Sequence, residues 1–262
     1  LCPLCGVRTI LEREPGAGDP MLGRVLDRRY RIDLLLGRGG MGSVYRGTQL
    51  ATGQVVAIKV IRADHAENTE AIKRFQREAR AASRLTHPHT VRVFDFGQTE
   101  AGELYMVMEF IDGRTLASEM KSGGAMPEPR VARIAFGTCQ ALAEAHGLGL
   151  VHRDLKPDNL MLVDTVGNPD FVKVLDFGLA KLAWGAGPGT TQLTQAGVVM
   201  GTPHYMAPEQ WDFDRDLSPA VDVYSLGVIL WEALCGARPI AAESPLEVMI
   251  LHRENGVPDL PP

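Results

Sequence analysis

Apolar and polar positions alternate in short runs through the first part of the chain and recur at helical spacing through the second. From Tyr30 to Ile61 three short β-like runs predict three strands, 30–37, Ser43–Gln49 and Gln54–Ile61, the last opened by the turn signal Thr52-Gly53. A helix follows, because Ile72, Phe75, Ala79, Ala82 and Leu85 recur at three- and four-residue steps and stop before His87-Pro88; Glu78 flanks that stripe. Two further strands are expected at Thr90–Phe96 and Glu103–Phe110, with Gly97 and Gly102 marking the turn between them.

Beyond Gly113 the period becomes helical. Val131, Ile134, Ala135, Thr138, Leu142 and Ala145 mark one face of a helix over Glu128–Gly147. A second helix is expected from about Pro219 to Leu234, with Ser218 to cap its free N–H groups and Pro219 preset for its first turn; apolar residues surround it, so it should be buried. Pro245 to His252 also reads as helical. Residues 151–210 are dense in His, Asp, Lys, Asn, Gly and Thr and are read as loops carrying chemistry. The pattern is that of an α+β protein, with a small antiparallel β part holding one main helix ahead of a mainly α part. Residues 1–29 show no sustained periodicity and are read as a linker or separate module.

Composition narrows the function classes. Of the 262 residues, 45% are hydrophobic, enough to bury a core and offset chain entropy. The nearest approach to a membrane helix, Val223–Leu234, is broken by Ser225, Gly227 and Glu232, so no membrane contact is expected from this segment. With 27 Lys and Arg against 32 Asp and Glu, no basic field exists to hold a nucleic-acid backbone, and nucleic acid is not an expected partner. Four cysteines, two in a CxxC pair and two alone, suit a reducing, cytoplasmic setting. The chain opens without Met or a basic-then-apolar leader, so it reads as an excerpt whose N-terminus lies upstream.

Three signals carry chemistry. Gly37-Arg-Gly39-Gly-Met-Gly42-Ser-Val44 is a G-x-G-x-x-G between two predicted strands. A dinucleotide-binding unit would start a helix directly after these glycines. Strand, glycine loop, strand instead gives a flap whose backbone N–H groups can close over phosphates, although a plain glycine-rich hairpin has the same wording. In Val56-Ala57-Ile58-Lys59, alternation points Ala57 and Lys59 to one face. There a small Ala admits a flat base and an ammonium neutralises phosphate, with Glu78 the natural anion to hold it; a solvated surface pair worth about 0–1 kcal/mol is the plainer alternative. The third signal is His152-Arg153-Asp154-Leu155-Lys156-Pro157-Asp158-Asn159, then Asp176-Phe177-Gly178, then Ala207-Pro208-Glu209.

Together these residues resemble the protein kinase family, whose signatures are the Gly-rich loop, V-A-I-K, H-R-D-L-x-x-x-N, D-F-G and A-P-E. All five occur in family order. The resemblance covers residues 30 to about 256 and is nearest to bacterial, eukaryotic-like (Hanks-type) serine/threonine kinases. It implies a bilobal fold, with an N-lobe over 30–109 and a C-lobe over 110–262 that lacks its last helices. It also implies an ATP- and Mg²⁺-dependent serine/threonine protein kinase, with Mn²⁺ as a substitute metal and proteins bearing Ser or Thr as substrates.

By the same resemblance Asp154 orients or accepts the substrate hydroxyl proton, and Lys156 reaches the transferring phosphate. Lys59 and Glu78 form the positioning pair, while Asn159 and Asp176 supply oxygens to Mg²⁺. Adenine would sit between Leu36, Val44 and Ala57 above and Met161 below, beneath the flap of Gly37, Gly39 and Gly42. Met108 would be the gatekeeper, and backbone groups of Glu109 and Ile111 would bond the base edge. Lys156 and Thr202 favour serine/threonine over tyrosine and small-molecule substrates. Between Asp176 and Glu209, Thr190, Thr191, Thr194 and Thr202 are candidate regulatory residues, Thr194 first, because a phosphothreonine there could pair with Arg153. Asp222 resembles the helix aspartate that braces the catalytic loop.

Cys2-Pro-Leu-Cys5 resembles half of a zinc ribbon, so Zn²⁺ is expected only if an upstream CxxC completes it. The end at Pro262 leaves Glu209 without the arginine that usually pairs with it in the family. Relatives can activate by dimer contact, which makes a kinase homodimer an expected partner state. A pseudokinase or scaffold is the alternative, and retention of Lys59, Glu78, Asp154, Asn159 and Asp176 favours the enzyme.

Overall fold

The computed structural model describes residues 18–39, 42–61, 69–177, 203–211, 217–242 and 244–260. Its first part is an antiparallel sheet of six strands, β1 (Val25–Leu26), β2 (Tyr30–Gly39), β3 (Gly42–Gln49), β4 (Val55–Ile61), β5 (Val93–Gln98) and β6 (Leu104–Glu109), in the order β1-β2-β3-β4-β6-β5. Helix α1 (Thr69–Ala82) interrupts it between β4 and β5. Successive β4 side chains serve two cores. Ala57 and Ile61 pack with Met106, Met108, Phe75 and Ala79 on the α1 side. Val56, Ile58 and Val60 pack with Tyr30, Ile32, Tyr45, Tyr105 and Val107 on the other. Burial on both faces explains why Val-Val-Ala-Ile-Lys-Val-Ile reads as a nearly unbroken apolar run.

The sheet begins ahead of the boundary expected at Tyr30. β1 pairs antiparallel with β2, and Met21 and Leu26 belong to the outer core. Residues from 18 onward therefore form a strap over the sheet, not a linker. Two-residue pairing is too short to show as alternation, and Gly18, Pro20 and Gly23 mask it further.

The second part holds β7 (Arg114–Thr115), α2 (Leu116–Gly123), α3 (Glu128–Gly147), β8 (Leu160–Thr165), β9 (Asn168–Val174), α4 (Ala220–Cys235) and α5 (Pro245–Glu254). α3 buries Val131, Ile134, Thr138, Leu142 and Ala145, as its period predicts, with Ala135 half-buried. α4 is less enclosed than expected, since Val223 is 63% exposed. Ser218 caps it one residue early, its Oγ accepting from Ala220 N at 3.3 Å. β8 and β9 of the three-stranded sheet β7-β8-β9 lie inside the stretch read as loops. The two parts meet where the loop after α1 crosses to the second: Val91 N donates to Val174 O, Val174 N donates to His89 O, and Glu144 on α3 accepts from the N–H groups of Thr86 and His87. The architecture is bilobal α+β.

Candidate active site

Lys59 lies on β4 directly across from Val44 on β3 and Met106 on β6; Ala57, two residues away, lies across from Met108. Directly opposed residues share a face, so Val44, Ala57, Lys59, Met106 and Met108 share the α1-side face, as the alternation requires. Gly37 stands opposite Val44 at the root of the flap. Gly42 has φ 148°, and a Cβ there would collide with the Val60 carbonyl, so this position admits only glycine. Leu36 is 37% exposed at the edge of the flap. Glu109 N–H already donates to Arg92 O at 2.8 Å, so it is not free for the base edge expected there. Ile111 follows on the connection out of β6. Met161 sits on β8 across from Thr115 of β7.

Lys59 takes a different anion from the one its sequence context suggests. Its Nζ donates to Asp176 Oδ2 at 2.7 Å. Glu78 sits on α1 with Oε1 3.9 Å from Arg77 Nη2. Asp176 itself has a left-handed backbone (φ 56°). Burial alone would raise the Asp176 pKa, but the adjacent Lys59 ammonium, with His152 and Lys156 nearby, holds it below the usual carboxylate value.

The catalytic-loop segment is suspended from buried groups. Asp222 on α4 is fully buried and accepts from His152 N and Arg153 N, each at 2.8 Å, and from His146 Nε2 at 2.7 Å. These bonds hold Arg153 in the left-handed region (φ 67°), a conformation costing about 1–3 kcal/mol that must be over-determined by its surroundings. His152 is buried; its Nε2–H donates to Leu175 O (2.8 Å), so Nδ1 accepts from Asp154 N (3.3 Å). Gln210 Nε2 donates to Arg153 O at 2.8 Å, tying the Ala-Pro-Glu segment to the same loop.

Asp154 and Lys156 emerge from this frame in contact, Nζ donating to Oδ2 at 2.9 Å. Asn159 Nδ2 donates to Asp154 O at 2.8 Å, and Leu175 N donates to Asn159 O at 2.9 Å. The amide oxygen of Asn159 and the second carboxylate oxygen of Asp176 are hard donors suited to Mg²⁺, which needs only one or two protein oxygens beside phosphates and water. Among the described residues no group of three or more His, Cys, Asp or Glu could hold a metal by itself. Zinc has no support there: Cys2 and Cys5 lie outside the described residues, and Cys139 and Cys235 are free thiols on α3 and α4. Thr190, Thr191, Thr194, Thr202 and Gly178 also lie outside the described residues.

Two supports were not singled out from sequence. His146 closes α3 one position past Ala145 of the buried stripe, and that placement is its only signal. A charge network joins Arg114 of β7, Glu119 of α2, Arg130 of α3 and Asp170 of β9, with contacts of 2.7–2.8 Å. The Arg130 hydrogen bond lowers the Asp170 pKa despite burial. Nothing in the local pattern announces it, because its members are far apart in the chain.

The comparisons agree with this geometry. The family model described as protein kinase domain matches residues 30–257. The chain is similar to serine/threonine-protein kinase pkn3 of Myxococcus xanthus, 44% identical over 226 residues, covering 86% of this chain and 41% of that one. It is similar to serine/threonine-protein kinase PknA of Mycobacterium tuberculosis, 41% identical over 247 residues, covering 93% and 55%. The chain thus spans about half the length of the curated relatives it matches. Among solved structures, the Mycobacterium tuberculosis PknI kinase domain superposes with a TM-score of 0.65 at 28% identity, covering 84% of this chain and 79% of that one. With a sheet that places Lys59 against Asp176, and a loop that presents Asp154 beside Lys156, the chain belongs to the protein kinase domain family.

Proposed function

We propose that the chain is the catalytic domain of a serine/threonine protein kinase that transfers the γ-phosphate of ATP to protein hydroxyls and phosphorylates its own activation loop. The observation that carries the reading is the Asp154–Lys156 contact at 2.9 Å on a loop whose backbone hangs from buried Asp222. Phosphoryl transfer asks the protein for positioning and charge neutralisation more than covalent work. Asp154 orients the substrate hydroxyl and takes its proton as the new P–O bond forms and the bond to ADP breaks. Lys156 meets the charge on the transferring group, while Lys59 and the flap hold the remaining phosphates. Mg²⁺, when bound through oxygens of Asn159 and Asp176, neutralises the triphosphate. Val44, Ala57 and Met161, with Leu36 and Met108 at the edges, bracket the base.

Arg153 supports the regulatory half of the reading. Its Nε is buried without a hydrogen-bond partner among the described residues, as fits a guanidinium that receives a phosphate. Thr194 is the first candidate donor of that phosphate, ahead of Thr190 and Thr191.

The test is Mg²⁺- and ATP-dependent phosphate incorporation mapped by mass spectrometry, comparing wild type with Asp154→Asn after circular dichroism shows both folded. Incorporation by wild type only, with sites between Asp176 and Glu209, is the expected result. Folded wild type that modifies neither itself nor a generic protein substrate would shift the reading to a pseudokinase.

A further inference from the structure

The outer core of the six-stranded sheet includes Met21 and Leu26 of the strap formed by residues 18–26, and the strap is fastened to the glycine-rich flap. Gly23 N donates to Ile32 O and Ile32 N donates to Arg24 O, both at 2.9 Å, so the strap runs along β2. Met21 packs into the core that contains Tyr45. Asp19 sits at the upper end with only 5% of its side chain exposed. Oδ1 accepts from Met21 N at 2.9 Å, and Oδ2 accepts from Arg38 Nη2 at 3.0 Å and Tyr45 Oη at 3.2 Å. Burial works against the charged form, but these three donors outweigh it and keep the carboxylate ionised.

The two side-chain partners are placed tellingly. Arg38 lies between Gly37 and Gly39 and pairs across the hairpin with Ser43, so it belongs to the flap. Tyr45 lies on the returning strand, opposite Leu35. One carboxylate therefore grips both strands of the hairpin just below its tip. Glycines leave the flap's backbone without side-chain constraints. An external tie is then what sets its height over the cleft.

We propose that Asp19 is a positioning residue for the glycine-rich flap, fixing its height through Arg38 and Tyr45 and so setting affinity for the nucleotide. The proposal rests on the kinase reading for its second half only. Arg38 is 60% exposed in its side chain, so Arg38→Met removes the flap's half of the tie, leaving Tyr45, without disturbing the core, and complements Asp19→Ala should that variant fold poorly.

The experiment measures hydrogen–deuterium exchange over residues 35–46 and, separately, the Kd for Mg·ATP by calorimetry, on wild type, Asp19→Ala, Arg38→Met and the double variant. Flap amides should exchange about ten-fold faster in each single variant, while α3 and α4 peptides stay as in wild type. The Kd should weaken about three- to ten-fold, with the double variant no worse than the worse single, as for two halves of one contact. Unchanged flap exchange in Arg38→Met would overturn the proposal, as would acceleration spread evenly over the whole domain. Failure of wild type to bind Mg·ATP would strike the kinase reading instead, and the exchange arm would still decide the tie.

Discussion

The loop that carries Asp154 and the lysine proposed to face the nucleotide are held in opposite ways. The loop hangs by backbone N–H groups from Asp222, a carboxylate with no exposed surface that also accepts from His146. Among the described residues Lys59, only 11% exposed in its side chain, is held by an ion pair to Asp176, whose side chain is 28% exposed. A buried carboxylate with three donors leaves no alternative arrangement of comparable energy, because any donor that lets go is stranded away from water. A single pair whose anion is partly exposed has water as an alternative partner on that side, so it exchanges at lower cost than a fully buried carboxylate with three donors. The residues that must define a reaction trajectory are clamped, and the cation proposed to meet phosphates is left able to change its anion.

Substituting Asp222 should show the largest effect. Asp222→Ala strands two buried N–H groups and releases Arg153 from its left-handed conformation, so unfolding free energy should fall by about 3–5 kcal/mol in urea titration. A loss below about 1 kcal/mol would break the contrast, since the loop would then be held by packing alone. Arg130→Met comes next. It leaves Asp170 and Glu119 with Arg114 as their shared cation, and a loss of about 2 kcal/mol is expected from a partly exposed network. If the midpoint does not move, the network contributes nothing to the stiffness of the second lobe.

Much of this was legible because the governing patterns are local. Short β-like runs bounded by glycine turns placed β2 to β4, and the two-residue period of a strand set Ala57 and Lys59 on one face; helical spacing placed α1, α3 and α4. What escaped depends on pairing across distance. Leu160-Met-Leu-Val carries apolar residues on both faces of β8, so it does not alternate, and its partner β9 passes through Asn168, Pro169 and Asp170, which read as a loop. The choice between Glu78 and Asp176 for Lys59 depends on a contact across 117 residues, which no spacing rule encodes. Asp19 looked like part of a linker because its partners Arg38 and Tyr45 come to it only after the hairpin folds.

A smaller effect should appear with pH. His252 on α5 is 1% exposed; its Nε2 donates to His204 O and its Nδ1 accepts from Tyr224 Oη. Burial pushes its pKa below 6.5, with the bond to His204 O a smaller opposing influence, and burial lowers His204 and His89 likewise. The unfolded chain therefore binds more protons just below pH 6.5. Stability is complete above that value and falls as pH drops, by at most about 1.4 kcal/mol per pH unit for each histidine. His252→Gln should flatten part of this slope, which urea midpoints between pH 7 and 5 would reveal.

Lys59→Met should show the smallest change in stability and the sharpest contrast. The methionine keeps most of the apolar stem, and Asp176 retains solvent and the neighbouring Lys156 charge. A loss of about 1 kcal/mol is expected. The sign of its pH dependence follows from the Asp176 carboxyl, whose folded pKa lies below 3.8. The pair's contribution is present above 3.8 and disappears as pH falls through the lowered value, so wild type and variant should converge in acid. At neutral pH the same variant should lose at least about a hundred-fold in phosphotransfer, because the cation proposed to align phosphates is gone. Loss of activity with a fold nearly as stable as wild type would place Lys59 on the exchangeable side of the contrast. A stability loss as large as that of Asp222→Ala would show that both regions are clamped alike.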